Sequence, residues 1–201
     1  MSVDTDDLKY FLNAKKNTLK CLQIKWSVDG TRNGGLPQLK VLDLPHGYGV
    51  EDNTVIAISH GCPGLRQLSV THATKLSPAA FSEIDRLEHL EILDVTGCSR
   101  LGGGLFPYLV GLPRLHTLRM GTMYFGTTYF TELQPGVSSI LKLSGLRCLT
   151  FDYSDVTGEP FDKFPENLIS LRAHIKKGRI FSAREKLRCV YSYEIGECSS
   201  C

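Results

Sequence analysis

The sequence predicts an α/β solenoid in which about eight right-handed βα coils stack their strands into one parallel sheet on the concave side of a horseshoe. Three observations predict it. Segments of the form Leu-x-x-Leu-x-apolar begin at Leu19, Leu39, Leu65, Leu90, Leu115, Leu146, Leu168 and Leu187, the last two with Ala173 and Ser192 in the third slot. Their spacings of 20, 26, 25, 25, 31, 22 and 19 residues bracket the period of about 20–29 residues over which a strand and its return segment repeat. Between them lie apolar residues at helical spacing, such as Phe81, Ile84 and Leu87 after the third segment.

Side-chain direction turns this spacing into an architecture. Alternate residues of a strand face opposite ways, so Leu68 and Val70 are expected in the core and Gln67, Ser69 and Thr71 on the concave face. A single coil leaves its interior open at both ends, and stacking of neighbours is what buries it. Residues 1–201 are therefore expected as a single domain, with an amino-terminal helix or partial repeat at 1–18, repeats over 19–195 and a tail at 196–201.

Taken in order, Asp6 to Lys16 places Leu8, Phe11 and Leu12 at helical spacing behind Thr5 or Asp6 as N-cap. Asp52 or Asn53 is expected to cap a short helix through Val55, Ile56 and Ile58 that ends at Gly61. Ser77-Pro78 reads as N-cap and first position of the next return helix, where proline's missing N–H costs nothing. The glycines of Gly102-Gly103-Gly104 argue against a long helix in the fourth coil, and without a following Gly-Lys-Ser/Thr they read as a tight repeat turn rather than a phosphate cradle. The 31-residue interval of the fifth coil holds Tyr124, Phe125, Tyr129 and Phe130, an aromatic insertion that either emerges as a protein-binding loop or folds back as a satellite core.

A net charge of +2 points to neither nucleic acid nor membrane, and no apolar run approaches the roughly 20 residues of a membrane-spanning helix. The basic run Arg172, Lys176, Lys177, Arg179, Arg184, Lys186 and Arg188 reads as a solvated face or as a surface for an acidic partner, and no nucleic-acid module accompanies it. The opening Met1 to Asp7 is acidic and unlike a signal peptide, and no Asn-x-Ser/Thr sequon occurs, so the expected compartment is cytoplasmic or nuclear. Seven scattered cysteines, at 21, 62, 98, 148, 189, 198 and 201, are expected as reduced thiols. Cys198 and Cys201 have the spacing of half a zinc site, but no second pair matches them, so no metal and no cofactor are expected.

The strand pattern predicts which side chains share the concave face. The middle outward slot reads Gln23, Asp43, Ser69, Asp94, Arg119, Thr150, Arg172 and Tyr191, and the next includes Asp152 and His174. His46 and His72 follow in adjacent coils. A Ser/His/Asp reading of Ser69, the two histidines and the aspartates is possible on paper, but an open strand surface offers neither an oxyanion hole nor exclusion of water. The expectation is a non-catalytic protein-binding surface made of Asp43, His46, Gln67, Ser69, His72, Asp94, Arg119, Asp152 and Arg172.

Two coils carry a family resemblance. Cys62-Pro63-x-Leu65-x-x-Leu68-x-Val70 resembles the first half of the cysteine-containing class of leucine-rich repeat, and Leu90-x-x-Leu93-x-Val95-x-x-Cys98-x-x-Leu101 resembles its second half. The slot of Cys98 is filled elsewhere by Ser27, Gly47, Ala73, Met123 and Ser154. That class is best known from the F-box/leucine-rich-repeat proteins. The resemblance implies a leucine-rich-repeat solenoid that acts as a protein-protein interaction module, recognising substrates for a cullin-type ubiquitin ligase, with ubiquitin-ligase subunits among its partners. The F-box's Leu-Pro-containing helical start has no counterpart in residues 1–18, so the chain is expected to recognise without docking. The alternative is a non-catalytic structural subunit or assembly factor of a larger complex.

Overall fold

In a computed structural model, residues 17–23, 35–120, 139, 142–153, 167–175 and 188–190 are described, with the backbone alone for 151–153, 171–175 and 188–190. Among the described residues, eight strands occur, one at each expected segment: β1 (Cys21–Gln23), β2 (Val41–Leu44), β3 (Gln67–Val70), β4 (Ile92–Asp94), β5 (Thr117–Met120), β6 (Cys148–Tyr153), β7 (Ser170–Ile175) and β8 (Arg188–Val190). They form one sheet in chain order, and every neighbouring pair is parallel. The architecture is thus α/β with a parallel sheet, as the alternation of strand and return segment requires.

Register is set by the leucines. Leu22, Leu42, Leu68, Leu93, Leu118, Leu149 and Leu171 pair one to one across successive strands. Leu68, Leu93 and Leu118 are fully buried, and Leu39, Leu65, Leu90 and Leu146, which open their segments, are buried with them. A slip by one residue would turn each such row onto the open face, so the apolar pattern holds the register wherever it is complete. It is incomplete in the last segment, whose third slot is Ser192, and there the register differs from the expectation: Cys189 pairs with Leu171, and Val190, not Tyr191, pairs with Arg172.

The return segments close the core from the other side. Helix α1 (Asp52–Gly61) buries Val55 and Ile58 and ends at Gly61 as expected. Its N-cap is Glu51, not Asp52 or Asn53; the Glu51 amide donates to Thr54 Oγ1 at 3.4 Å, forming part of a capping box. Asp52 is engaged elsewhere: its carboxylate accepts from the Ser77 amide at 2.8 Å and from the Ser77 hydroxyl at 2.5 Å. Ser77 and Pro78 do open the next return segment, but it consists of two 3₁₀ turns, Pro78–Phe81 and Ile84–Arg86. Its amides reach back three residues, as in Ala80 to Ser77 O at 3.1 Å and Leu87 to Ile84 O at 3.0 Å. This tighter winding places Phe81, Ile84 and Leu87 in the core over a short span. The glycine run forms a further 3₁₀ turn, Gly102–Leu105, leading into the one-turn helix α2 (Phe106–Leu109). Helix α1 packs on both turns of the following segment, which in turn meet Gly102–Leu105 and α2, giving a second layer behind the sheet.

The amino-terminal helix expected over Asp6 to Lys16, the aromatic insertion and the carboxy-terminal tail lie outside the described residues. Cys21, Cys62, Cys98 and Cys148 are thiols, in no disulfide.

Candidate functional site

Alternation along each strand leaves one face of the sheet to the leucine core and presents the other outward. Two rows run across that outward face in register. The first is Cys21, Val41, Gln67, Ile92, Thr117 and Cys148, and the second is Gln23, Asp43, Ser69, Asp94, Arg119 and Thr150. Arg172 continues the second row in β7, and Asp152 pairs with His174 one position pair further along β6 and β7.

The second row is electrostatically ordered. Gln23 Nε2 donates to Asp43 Oδ2 at 2.7 Å, from the β1 side. Asp94 Oδ1 accepts the amide of Thr96 at 3.0 Å, which folds the chain as it leaves β4, and Oδ2 lies 3.6 Å from the Arg119 guanidinium on the β5 side. Asp94 is mostly covered, at 16% side-chain exposure, whereas Arg119 keeps 41%. Between the two aspartates Ser69 is recessed, with 7% of its surface exposed.

Beyond the strand ends the chain turns through a column of left-handed residues. His46, His72 and Gly97 have φ of 58°, 57° and 77° in successive coils, a conformation that histidine tolerates better than most residues do. The His46 and His72 rings stack at 5.6 Å and 16°, and Tyr48 joins them at 6.3 Å from His46. Gly97 has no side chain because the His72 ring fills the space: a Cβ there would lie 2.3 Å from His72 Nδ1. The two histidines thus form a ring pair past the strand ends, and neither makes a hydrogen bond to Ser69 among the described residues. The acid–histidine–serine relay that catalysis would need is not assembled there.

Of the expected surface residues, the structure brings Asp43, Gln67, Ser69, Asp94 and Arg119 together on β2 to β5, sets His46 and His72 in the turns past the strand ends, and places the backbone of Arg172 in the second row and that of Asp152 one position pair beyond it. Tyr124, Phe125, Tyr129 and Phe130 lie outside the described residues. Two contributors lie outside the expected binding set, although Gln23 already stands in the expected outward row. Tyr48, 60% exposed, extends the ring stack, and Gln23 positions the Asp43 carboxylate. The Gln23 contact is implied by the row alignment; nothing in the local sequence signals the Tyr48 stack. Among the described residues, no three histidine, cysteine or acidic side chains gather to hold a metal ion, and no helix is long and apolar enough to cross a membrane.

No protein-family model matches the chain, and no curated protein matches it. Among solved structures, an internalin C2 from Listeria monocytogenes, a leucine-rich-repeat protein, superposes with a TM-score of 0.56, covering 92% of this chain and 74% of that one at 20% identity. The fold is leucine-rich-repeat-like. At that identity the likeness is one of fold alone, and it carries neither the cysteine-containing class nor the F-box proteins with it. Leucine-rich-repeat architectures present extended surfaces on which other proteins are bound.

Proposed function

We propose that this chain is a non-catalytic protein-interaction module that holds its partner against the outward face of the sheet. One observation carries the reading: Asp43, Ser69, Asp94 and Arg119 stand side by side on four successive strands whose opposite face is sealed by leucine. A row of differing polar groups on a rigid backing supplies complementarity to another surface without supplying a reaction centre. On this reading the sheet lines the concave side of a right-handed horseshoe of about eight coils, and the aromatic insertion at Tyr124 to Phe130 is a second contact region. The finer assignment, substrate recognition for a cullin-type ubiquitin ligase in cytoplasm or nucleus, is supported by the cysteine-class pattern around Cys62 and Cys98.

The test is identification by mass spectrometry of what co-purifies with the chain, followed by charge reversal at Asp94→Lys and Arg119→Glu. Loss of the partner with unchanged thermal stability is the expected result. Equal loss of partner and stability would make the two residues structural. Stoichiometric recovery within an assembly containing no ligase subunit would remove the ubiquitin assignment and favour a structural subunit or assembly factor.

A further inference from the structure

Ser69 is the most unusual polar residue of the outward face. Its neighbours in the strand, Leu68 and Val70, are wholly buried on the core side, so alternation directs Ser69 outward. Yet it is only 7% exposed, and among the described residues its hydroxyl has no hydrogen-bond partner. A recessed polar group left without a partner is unfavourable, and such groups are rare enough to require an explanation.

The surroundings supply one. Asp43 and Asp94 pair in register with Ser69 from either side. Asp43 is held by Gln23 from the β1 side, and Asp94 by Arg119 from the β5 side and by the Thr96 amide of its own turn. Asp43 Oδ1 has no described partner, and each Asp94 oxygen, holding one contact, keeps a further lone pair. Along β3 the same face carries Gln67 before Ser69, and Thr71 follows in the turn past the strand end; neither side chain has a described hydrogen bond. The result is a notch with a small hydroxyl for its floor, two oriented carboxylates for its walls and a carboxamide at one end.

We propose that this notch seats an arginine side chain donated by the protein partner. The inference rests on the reading of the outward sheet face as the partner-binding surface, and it names what that face recognises. The charge requires a cation, and the width selects between cations. Two strand spacings separate the backbones of Asp43 and Asp94 by about 9.6 Å. An ammonium group, making contacts of about 2.8 Å from a single nitrogen, bridges less of that gap than a planar guanidinium, whose donors diverge toward both walls. One remaining N–H then meets the Ser69 oxygen, giving the hydroxyl the partner it lacks.

The experiment uses the full chain and a blocked Gly-Arg-Gly peptide as probe, with Gly-Lys-Gly and Gly-citrulline-Gly as controls, followed by amide NMR shifts. A saturable shift centred on Asp43, Ser69 and Asp94 is expected, with the lysine peptide several-fold weaker and the neutral citrulline peptide weaker still. Asp43→Asn and Asp94→Asn keep the oxygens that meet Gln23 and Thr96, and each should weaken the arginine probe about tenfold, the equivalent of one lost charge pair. Ser69→Val, which fills the floor without altering charge and suits a strand, should abolish the shift. Equal binding of lysine, an unaffected Ser69→Val, or no saturable shift near Ser69 would each overturn the proposal. Cross-linking of the co-purified partner separates the two levels: contacts at β2 to β4 without a probe response would remove the arginine notch alone, whereas contacts confined to the return segments would remove the outward-face reading together with it.

Discussion

The thiol of Cys98 donates a hydrogen bond to the carbonyl oxygen of Val70, 3.0 Å away, joining the turn of one coil to the strand of the coil before it. Cys98 is fully buried, so the bond is made out of reach of solvent. Cys98→Ala is expected to cost about 1–3 kcal/mol, combining a small cavity with an unpaired buried acceptor. Cys98→Ser, which restores a donor, should lose less, as read from urea unfolding midpoints.

Gly97 and His72 should show coupling. At φ 77° an alanine would pay about 1–2 kcal/mol for the left-handed backbone alone, and its Cβ would also displace the His72 ring. Gly97→Ala should therefore destabilise strongly in the wild-type background and less in a His72→Ala background. A double-mutant cycle measures the difference, and additivity would refute the contact.

Burial pushes the Cys62 and Cys98 thiols up to about 11, against an opposing hydrogen bond from the Leu36 backbone to Cys62 and from the Ala73 backbone to Cys98; the nearby Asp94 charge adds to the rise at Cys98. Relative to an ordinary thiol at 9.0, the thiolate fraction at neutral pH is about 100-fold lower. Thiol reagents should label the exposed Cys21 readily and spare Cys62 and Cys98 until the chain unfolds. Because the folded values lie above the unfolded one, the protonated thiols favour the folded state. Their contribution is complete below pH 9.0 and is lost as the pH rises toward about 11. The alkaline loss should be shallower in Cys62→Ala and Cys98→Ala.

Asp52 caps the coil that follows its own. Removal of either member, by Asp52→Ala or Ser77→Ala, should cost about 0.5–2 kcal/mol, the range for losing a cap. The two losses should be non-additive in the double variant, since the hydroxyl–carboxylate bond is shared, and Ser77→Ala, which keeps the amide's bond to Asp52, should cost the less of the two.

Deep core positions should be far more sensitive than either cap. Leu68→Ala and Leu93→Ala, both at fully buried sites, are expected to cost about 2–5 kcal/mol by denaturant titration.

The strands and their order were legible in the sequence because burial repeats the same demand at the same slot. Leu42, Leu68, Leu93 and Leu118 each face the core, so a single alignment predicts the whole register. The return segments were less legible. Ser77-Pro78 marks where one begins, but 3₁₀ and α winding place similar apolar residues inward, and the choice depends on how much chain must fit behind the neighbouring coil. The cap of α1 was misplaced for a similar reason: Asp52 is a good capping residue, and only the position of Ser77 in the next coil shows that it serves there instead. On the outward face, row membership followed from alternation, whereas the recess at Ser69 and the ring stack of Tyr48 depend on side-chain placement across strands.

The one-to-one pairing of β2, β3 and β4 also makes the chain editable in whole units. Excision of the stretch from Leu65 to His89 would rejoin segments that share the same leucine frame, so Leu39 and Leu90 would become successive openings. The shortened sheet would keep its backing but bring Asp43 directly beside Asp94. Two carboxylates that now stand on either side of Ser69 would then repel one another at a single strand spacing. A change in repeat number would in this way rewrite the charge pattern of the outward face without any substitution in the residues that make it up.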